Sequence, residues 1–207
     1  MSTTVIIDYG FGNIGSVAGA VGHLGYPAIV SSEPEFIKKQ DCLILPGVGS
    51  FFSAMAALTD TGLDEALRYA VLERGAKILG ICLGMQLLTE FGTEGGGTKG
   101  LGLAPGRVDR FASGESQAKE LHIGFSAVNY QLAGQLLRDI PSETDFYFVH
   151  EYRLASENFD YSWTLGLAEH SEQFVAFFER DNVFGVQFHP EKSQTNGLAL
   201  LRNFLEA

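Results

Sequence analysis

Cys82 lies in a segment whose residue types and spacing suit a nucleophile. The sequence G-I-C-L-G at residues 80–84 separates an apolar run at residues 77–81 from a helical pattern that begins at Met85. Such a strand-to-helix turn strains the backbone of its central residue and presents the side chain at the carboxyl end of the sheet. Amide groups at the helix N-terminus would stabilise both a thiolate and an incoming oxyanion. We predict that Cys82 is a nucleophile; the alternative is a small thiol packed under a tight turn.

A base for this nucleophile is predicted at the end of an apolar strand at residues 183–188, which is followed by His189, Pro190 and Glu191. The proline ends the strand and stiffens the corner, so that His189 and Glu191 can project to the same side. A carboxylate in this position accepts a hydrogen bond from the imidazole, fixes its tautomer and stabilises the imidazolium. A single histidine at a strand end is more commonly a polar cap, but the nearby acid and the cysteine turn favour catalysis.

The remaining thiol and histidines fit this chemistry less well. Cys42 lies inside a plain strand run, which predicts a buried structural thiol. His23 lies in a helical surface pattern and His170 in a polar turn, so both are predicted to face solvent. His122 and His150 lie within strand-like runs and are predicted either to be structural or to line a site. No spacing of His, Cys, Asp and Glu is typical of a metal centre, so we predict no metal.

The segment G-F-G-N-I-G at residues 10–15 offers a competing interpretation. It matches the G-x-G-x-x-G pattern of dinucleotide-binding turns, and Glu33 follows near the position of a ribose-binding acid. The pattern is short, however, and the chain contains 25 glycines, so a chance match is common. We therefore favour a tight strand-to-helix turn, with NAD binding as the alternative.

The candidate residues must be positioned by a chain that alternates short apolar runs with helical patterns. Continuous Val, Ile and Leu runs separated by helices predict parallel strands covered on both faces. In the first half we predict strands at residues 4–9, 27–31, 42–47 and 77–81, and helices at residues 13–24, near 35, at 50–58 and at 62–73. In the second half we predict antiparallel or mixed strands at residues 106–111, 146–152, 174–180 and 183–188, and a final helix at residues 194–205.

Together these elements predict an α/β fold with a three-layer, open, mixed and mostly parallel sheet. The length suits a single domain with one well-filled core, residues 1–207. The glycine-rich segment at residues 92–100 is predicted to be a flexible surface loop.

The composition excludes several classes of function. The net charge of −11 disfavours nucleic-acid binding, which requires clustered Lys and Arg. No apolar run reaches the ~18 residues of a membrane helix and the N-terminus lacks a basic leader, so no membrane association is expected. Two cysteines are too few for a disulfide scaffold, and a reactive thiol suits a reducing cytosol, so we predict a cytoplasmic protein.

Five segments of the chain resemble one known family. They read IIDYGFGN at residues 6–13, LILPGVGSF at 43–51, GICLGMQLL at 80–88, GLGLAPGRV at 100–108 and VQFHPEKSQTNGLALLRNFL at 186–205. Over nearly its whole length the chain resembles the class I (triad) glutamine amidotransferases, and within them the glutaminase subunits of imidazole glycerol phosphate synthase. The resemblance implies a flavodoxin-like fold, L-glutamine as the substrate and no cofactor.

The resemblance also implies roles for individual residues. Cys82 attacks the side-chain amide of glutamine to form a γ-glutamyl thioester, His189 transfers protons, and Glu191 orients His189. Two backbone amides hold the oxyanion, one from Leu83 and one from residues 46–49. The residues expected to contact glutamine or to lie beside it are Gln86, Gly47, Val48, Gly49, Leu83, Glu151 and Tyr152.

The family resemblance further implies a partner, a separate (βα)₈-barrel cyclase subunit with which the chain forms a heterodimer. Ammonia passes to that subunit and reacts with phosphoribulosyl-formimino-aminoimidazole carboxamide ribonucleotide. The products are imidazole glycerol phosphate and aminoimidazole carboxamide ribonucleotide, in histidine biosynthesis. The glutaminase is nearly idle until the partner binds its ligand. We hypothesise that the loop containing Gly47 and Gly49 must rearrange, and a Gly47→Pro variant with full ligand-stimulated turnover would count against this.

Three departures from the family pattern leave other functions open. Residues 121–126 read LHIGFS where PHMGWN is usual, Glu151 stands where a serine is common, and Gly15 where a larger side chain is frequent. These positions bear on the partner interface and on the surroundings of the glutamine pocket. The alternatives are a paralogous subunit that supplies ammonia in bacterial surface-sugar biosynthesis, a stand-alone cysteine hydrolase or peptidase, and a non-catalytic binding subunit.

Overall fold

The computed structural model describes residues 3–112, 120–160 and 162–207, which form an α/β fold. The strands are β1 (Thr4–Ile7), β2 (Ala28–Ser31), β3 (Cys42–Gly47), β4 (Lys77–Cys82), β5 (Phe91–Gly92), β6 (Thr98–Lys99), β7 (Arg107–Arg110), β8 (His122–Tyr130), β9 (Thr144–His150), β10 (Tyr152–Leu154), β11 (Thr164–Glu169), β12 (Gln173–Arg180) and β13 (Val183–Val186). The α-helices are α1 (Ile14–His23), α2 (Pro34–Ile37), α3 (Phe51–Asp60), α4 (Leu63–Arg68), α5 (Leu83–Leu88) and α6 (Gln194–Glu206). Within the described ranges, no helix is long and apolar enough to cross a membrane.

One mixed sheet holds nine of these strands, in the order β2-β1-β3-β4-β13-β12-β11-β8-β9. The strands from β2 to β13 pair in parallel, in a flavodoxin-like order, and the pairings from β13 to β9 are antiparallel. The mixed sheet predicted from the sequence is confirmed. Ile81 of β4 is in register with Val186 of β13, so the carboxyl ends of these strands lie side by side. Cys82, which ends β4, is thereby brought next to the residues that follow β13.

Helices cover both faces of the parallel half, which gives the predicted three layers. Alternate residues of β1 face opposite sides. Val5 belongs to a core that includes residues of α3, α4 and α5, whereas Ile6 belongs to a core that includes residues of α1 and α6. Both side chains are fully buried, and burying an aliphatic side chain of this size contributes about 1.5–3 kcal/mol. The two cores hold the strand ends in fixed positions beneath the site.

A second, smaller sheet was not apparent from the sequence. Its four strands have the order β10-β7-β5-β6, and β7 pairs with β10 so that Arg110 lies opposite Tyr152. The predicted single strand at residues 146–152 is divided into β9 and β10, with Glu151 between them. Glu151 therefore occupies the bend where the chain leaves the large sheet and enters the small one.

The prediction of a flexible surface loop at residues 92–100 is wrong. Strands β5 and β6 form a short hairpin here, and Glu94–Gly96 is a 3₁₀ turn. Gly95, Gly96 and Gly97 have φ values of 68°, 101° and 98°, which glycine adopts without steric strain. The Phe51 N–H donates a hydrogen bond to Glu94 Oε2 at 2.6 Å, so this carboxylate caps the N-terminus of α3. The glycines allow a tight turn, and the hydrogen bond between Glu94 and Phe51 holds this turn against α3.

The other elements follow the predicted pattern closely. The predicted helices at residues 13–24 and 194–205 correspond to α1 and α6, and the predicted strands at 42–47 and 77–81 to β3 and β4. The predicted helix at residues 62–73 changes character, because α4 gives way to a π-helical turn at Tyr69–Glu73.

Candidate active site

Cys82 ends β4 and immediately precedes α5, at the turn predicted to carry a nucleophile. Its φ of 54° and ψ of −112° lie outside the regions that residues with a side chain ordinarily adopt, at a cost of about 1–3 kcal/mol. Packing requires the two flanking glycines. A Cβ on Gly80 would lie 2.7 Å from Met85 Cα, and a Cβ on Gly84 would overlap the Leu45 carbonyl oxygen. The strained turn directs the thiol into a cavity although Cys82 is only 6% exposed.

The corner after β13 places His189 and Glu191 side by side. His189 Nδ1 and Glu191 Oε1 are 2.8 Å apart, and the two side chains are 2% and 0% exposed. Because an ionised carboxylate only accepts hydrogen bonds, Nδ1 carries the proton and Nε2 is the basic nitrogen. The 3₁₀ turn Pro190–Lys192 brings Glu191 back beside the imidazole. Asn13 Nδ2 donates to the same Glu191 oxygen at 3.4 Å.

The surroundings of His189 favour its protonated form. Burial lowers the pKa of His189, but interactions with the Cys82 sulfur and the Glu191 carboxylate outweigh burial and raise the pKa to about 9. In the part of the chain that the structure describes, His189 Nε2 is buried and has no hydrogen-bond partner. This nitrogen is thus available to take a proton from Cys82.

Of the two predicted oxyanion donors, one is engaged elsewhere. Leu83 is the first residue of α5, so its N–H has no acceptor within the helix. The Val48 N–H instead donates to the Phe11 carbonyl oxygen at 2.9 Å. That N–H belongs to the peptide between Gly47 and Val48, and the glycine allows this peptide to turn at little steric cost. The Val48 amide can therefore point into the cavity only after its peptide turns.

The absence of a side chain at Gly47 leaves room for the Tyr9 hydroxyl and the Gly84 backbone. A Cβ at this position would lie 2.6 Å from the Tyr9 hydroxyl oxygen and 2.7 Å from the Gly84 nitrogen. A Gly47→Pro variant would consequently disrupt packing whether or not the loop moves. At Gly49 an added Cβ would approach only Phe11, at 3.6 Å, but the φ of 103° would strain any residue that carries a side chain.

A cavity of about 580 Å³ adjoins the thiol. This volume is large enough for an amino-acid-sized molecule. Six of the seven predicted substrate contacts line it, namely Val48, Gly49, Leu83, Gln86, Glu151 and Tyr152. The seventh, Gly47, is packed against Tyr9 and Gly84. Lining residues that sequence reasoning did not assign to the substrate are Ser50, Glu94, Arg110, Leu121, Val149 and His150.

Gln86 is held in one orientation at the wall of the cavity. Its Nε2 donates one hydrogen bond to the Tyr152 carbonyl oxygen at 2.8 Å and another to Gln187 Oε1 at 2.9 Å. Both of its N–H groups are then used, which leaves Oε1 as the atom that Gln86 can offer to a bound molecule. The side chain is therefore placed to accept a hydrogen bond from a ligand.

Charges of both signs line the cavity. Arg110 Nη2 and Glu151 Oε2 are 2.9 Å apart, with side chains 36% and 33% exposed. Glu94 contributes a second carboxylate. Sequence reasoning missed Glu94 because it lies in the glycine-rich segment interpreted as a loop. It missed Arg110 because this residue reaches the site only through the pairing of β7 with β10.

A chain of buried histidines lies behind the cavity. His150, which lines it, donates from Nδ1 to the Tyr152 carbonyl oxygen at 2.8 Å. His150 Nε2 must then accept from His122 Nδ1 at 3.2 Å, and His122 Nε2 accepts from the Ser126 hydroxyl at 2.8 Å. Burial lowers the pKa of His122 to about 4 and that of His150 to about 3. Both rings are neutral near pH 7, as this directed chain requires.

The remaining two histidines considered above, His23 and His170, differ in their surroundings. His23 is exposed on α1, as predicted. The prediction that His170 faces solvent is wrong, because its ring stacks on His122 with centroids 4.6 Å apart and only 31% of its side chain is exposed. The polar neighbours of His170 in sequence gave no indication of this, since the contact depends on how β8 and β11 are arranged in the sheet.

The G-x-G-x-x-G segment at residues 10–15 forms a tight turn that leads into α1. Gly10 has a φ of 86°, as such a turn requires. In a dinucleotide-binding turn the third glycine permits close helix-to-strand packing, but a Cβ on Gly15 would meet no described atom within 4 Å. The turn instead brings Asn13 to Glu191. These contacts favour the tight-turn interpretation.

Cys42, unlike Cys82, does not line the cavity. It is buried within β3, and its sulfur lies 3.6 Å from the Thr4 hydroxyl oxygen. Burial raises the pKa of its thiol, which disfavours a reactive thiolate. Among residues 3–112, 120–160 and 162–207, no three His, Cys, Asp or Glu side chains are placed to hold a metal ion.

Comparison with known proteins relates this geometry to one family. Residues 5–207 match the family described as Glutamine amidotransferase class-I. The chain is 46% identical over 206 residues to "Imidazole glycerol phosphate synthase subunit HisH" of Moorella thermoacetica, which covers 100% of this chain and 95% of that protein. Identity to the protein of the same name is 48% over 200 residues in Desulfitobacterium hafniense, with 96% and 92% covered. It is 43% over 202 residues in Chlorobaculum tepidum, with 97% and 98% covered.

Solved structures of similar fold are more distant in sequence. PurLQS from Thermotoga maritima aligns with a TM-score of 0.77 at 17% identity, covering 100% of this chain and 99% of that chain. A glutamine amidotransferase from the same organism aligns with a TM-score of 0.66 at 15% identity, covering 99% and 96%. At these identities the similarity concerns the fold alone.

Proposed function

The chain belongs to the class-I glutamine amidotransferase family, and we propose that it is the glutaminase subunit of an imidazole glycerol phosphate synthase, acting in histidine biosynthesis. Cys82, His189 and Glu191 carry this proposal. The strained cysteine faces the cavity, while His189 is held 2.8 Å from a buried carboxylate with its second nitrogen free. The subunit name shared by full-length relatives supports the pathway.

The first half-reaction transfers the glutamyl group to sulfur. Cys82 gives its thiol proton to His189 Nε2, and the thiolate attacks the side-chain amide carbon of glutamine. The carbonyl electron pair moves to oxygen, where the N–H groups at the start of α5 stabilise it. His189 returns the proton to the departing nitrogen, the C–N bond breaks, and ammonia leaves a γ-glutamyl thioester. Glu191 holds the His189 tautomer and stabilises the imidazolium.

The second half-reaction regenerates the thiol. His189 Nε2 takes a proton from water, and the hydroxide attacks the thioester carbon. The C–S bond then breaks, the sulfur leaves as a thiolate, and His189 returns the proton to it. The products are glutamate and ammonia, and the free enzyme is restored without a cofactor.

The charges in the cavity support glutamine as the substrate. A free amino acid carries one carboxylate and one ammonium group, and the cavity offers Arg110 for the first and Glu94 and Glu151 for the second. Gln86 Oε1 is oriented to accept from a substrate N–H group. These groups lie beside Cys82 in the same cavity, so a bound glutamine could contact them while its amide approaches the sulfur.

The position of the Val48 amide supports regulated turnover. While its N–H donates to the Phe11 carbonyl at 2.9 Å, it cannot bind the oxyanion. Turning the peptide breaks one backbone hydrogen bond, which contributes about 0.5–1.5 kcal/mol. A partner that binds the turned conformation better would populate it and raise the turnover rate.

An apolar surface beside the cavity supports a protein partner. Leu121, Ile123 and Phe125 are 42%, 58% and 49% exposed, and their alternate positions put all three on one side of the chain at β8. Leu121 also lines the cavity, as does Val48, which is 41% exposed. We propose that the (βα)₈-barrel cyclase subunit covers this surface in a cytoplasmic heterodimer and receives the ammonia at the cavity mouth.

Glutamate release from glutamine tests the proposal. The protein is assayed alone, with the cyclase subunit of its own organism, and with that subunit and the histidine-pathway ribonucleotide; Cys82→Ala is the blank. We expect turnover to rise sharply only in the last mixture.

Other outcomes would identify the alternatives. Turnover that needs the partner but ignores the ribonucleotide would exclude the histidine pathway and favour the surface-sugar paralog. Hydrolysis of other substrates without partner or glutamine would indicate a stand-alone cysteine hydrolase. Partner binding without turnover under any condition would indicate a non-catalytic subunit.

A further inference from the structure

Behind Cys82, two glutamine side chains form a chain of hydrogen bonds that ends at the sulfur. Gln86 Nε2 lies 2.8 Å from the Tyr152 carbonyl oxygen and 2.9 Å from Gln187 Oε1. Gln187 Nε2 in turn lies 3.7 Å from the Cys82 sulfur. The half-reactions described above give Gln187 no role.

The direction of each bond follows from the first acceptor in the chain. A backbone carbonyl oxygen can only accept, so the Gln86 group that faces Tyr152 is its NH₂ group. The second hydrogen of that NH₂ group is donated to Gln187, which must present its oxygen. The NH₂ group of Gln187 is therefore the one directed at the sulfur. This network assigns both amide orientations, which the side-chain shape alone would leave ambiguous.

Gln187 is fixed in this position by burial. Its side chain is 0% exposed, as are those of the neighbouring Val186 and Phe188. Its backbone N–H donates to the Ala176 carbonyl oxygen at 2.8 Å. A buried amide that turned away from its partners would lose hydrogen bonds without gaining water. The donor is therefore held at Cys82 before any substrate binds.

Besides His189, two polar neighbours of the sulfur act on its different protonation states. The Val149 carbonyl oxygen, 3.9 Å away, can accept a hydrogen bond only from the protonated thiol. Gln187 Nε2 is a donor, and donors at a sulfur favour its ionised form. Loss of the thiol proton therefore breaks the contact with Val149 and strengthens the contact with Gln187.

We propose that Gln187 is a catalytic residue whose Nε2–H group donates a hydrogen bond to the Cys82 sulfur and stabilises the attacking thiolate. This rests on the proposed role of Cys82 as nucleophile. The thiol proton passes to His189 Nε2, and Gln187 keeps both of its own protons. An acylated sulfur is a poorer acceptor, so the bond weakens in the thioester and is regained when the thiolate leaves.

Alkylation of Cys82 by iodoacetamide measures thiolate formation without glutamine or a partner. Cys42→Ser supplies a background in which Cys82 is the only thiol. In this background Gln187→Met removes the donor and keeps an unbranched side chain of similar length. We expect the pH at which alkylation reaches half its maximal rate to rise by about one unit, with about tenfold slower alkylation on the acidic side.

Gln173→Met is the matched control, because it makes the same change at an exposed position on the neighbouring strand β12. It should leave the alkylation midpoint unchanged. An unchanged midpoint in Gln187→Met, with the protein folded by circular dichroism, would overturn the proposal.

A second measurement requires no substitution at Gln187. In the native chain, the side-chain amide proton resonance of Gln187 should move with pH at the midpoint found by alkylation. In Cys82→Ala the same resonance should not move over this range. A resonance that ignores the cysteine would overturn the proposal even if Gln187→Met fails to fold.

These readouts separate this proposal from the proposed function. A shifted alkylation midpoint without glutamate release under any condition would support the Gln187 contact and contradict the assigned activity. Normal glutamate release with an unshifted alkylation midpoint would support the assigned activity and contradict the Gln187 contact.

Discussion

Replacing Glu191 by glutamine tests how a buried carboxylate sets the proton affinity of His189. Glu191→Gln keeps the side-chain size and an oxygen that can accept from His189 Nδ1, but removes the negative charge held 2.8 Å away. Burial lowers the pKa of His189, and Cys82 and Glu191 together raise it from 6.5 to about 9. Without the carboxylate charge we expect the pKa to fall by about one to two units, which equals about 1.4–2.7 kcal/mol of lost imidazolium stabilisation.

Two assays measure this change. An NMR titration of the His189 ring gives the pKa directly, and glutamate release by the complex gives the cost to turnover. We expect turnover to fall by about 10²–10⁴-fold, because a neutral amide neither stabilises the imidazolium nor enforces the tautomer. Glu35→Gln removes a carboxylate from the exposed pair with Lys38 and should change neither quantity.

The pH dependence of stability provides a third readout with a defined sign. The pKa of His189 is higher in the folded protein than its ordinary 6.5, so protonation stabilises the fold fully below pH 6.5. This contribution is lost as the pH rises through about 9, and in Glu191→Gln it should be lost at lower pH. A Glu191→Gln protein with an unchanged His189 pKa and native turnover would refute the assignment of Glu191.

Three further predictions concern the cavity and its surroundings. Arg110→Gln should raise the KM for glutamine about two- to fivefold with kcat unchanged, because a half-exposed guanidinium contributes modestly to binding; a loss in kcat alone would contradict this. Burial lowers the pKa values of His122 and His150 to about 4 and 3. The free energy of unfolding should therefore fall as the pH drops below 6.5, by up to about 1.4 kcal/mol per pH unit for each histidine. Denaturant midpoints that do not change with acid would contradict this prediction. Gly84→Ala should lower the free energy of unfolding by about 1–3 kcal/mol or more, because the added Cβ meets the Leu45 carbonyl oxygen. Gly19→Ala, in an open position on α1, should raise it by about 0.5–1 kcal/mol. Equal effects of the two substitutions in denaturant titrations would contradict the close packing of Gly84.

The features that sequence predicted well depend on local chemistry. The glycines around Cys82 are required because a strand-to-helix turn leaves no room for a Cβ at Gly80 or Gly84. His189 and Glu191 are two residues apart, and the intervening proline restricts how the corner can fold. Such short-range constraints leave a pattern in the sequence that can be interpreted without knowing the rest of the fold.

The features that sequence missed depend on contacts between distant segments. Arg110 joins the cavity because β7 pairs with β10, and the histidine chain exists because His122 lies opposite His150 across β8 and β9. The residues that make these contacts are 42 positions apart for Arg110 and Tyr152 and 28 for the two histidines, counted from 152 − 110 and 150 − 122. Strand register is set by the whole sheet, and no local pattern specifies it.

The orientation of the Val48 amide was also beyond sequence reasoning. Its glycine neighbours indicate that the loop can adopt more than one conformation. Which conformation is populated depends on an acceptor, the Phe11 carbonyl, contributed by a different turn of the chain. Because the donor is a backbone N–H, which every residue except proline carries, the side chain at position 48 does not specify this bond.

In the proposed mechanism, glutamine is hydrolysed through a thioester on Cys82. The most direct test is to quench the complex with acid during turnover of glutamine and to map any glutamyl adduct by peptide mass spectrometry. We predict one glutamyl group on the peptide containing Cys82, none on the peptide containing Cys42, and no turnover in Cys82→Ala. Glutamate release that persists in Cys82→Ala, without any adduct on Cys82, would contradict the account.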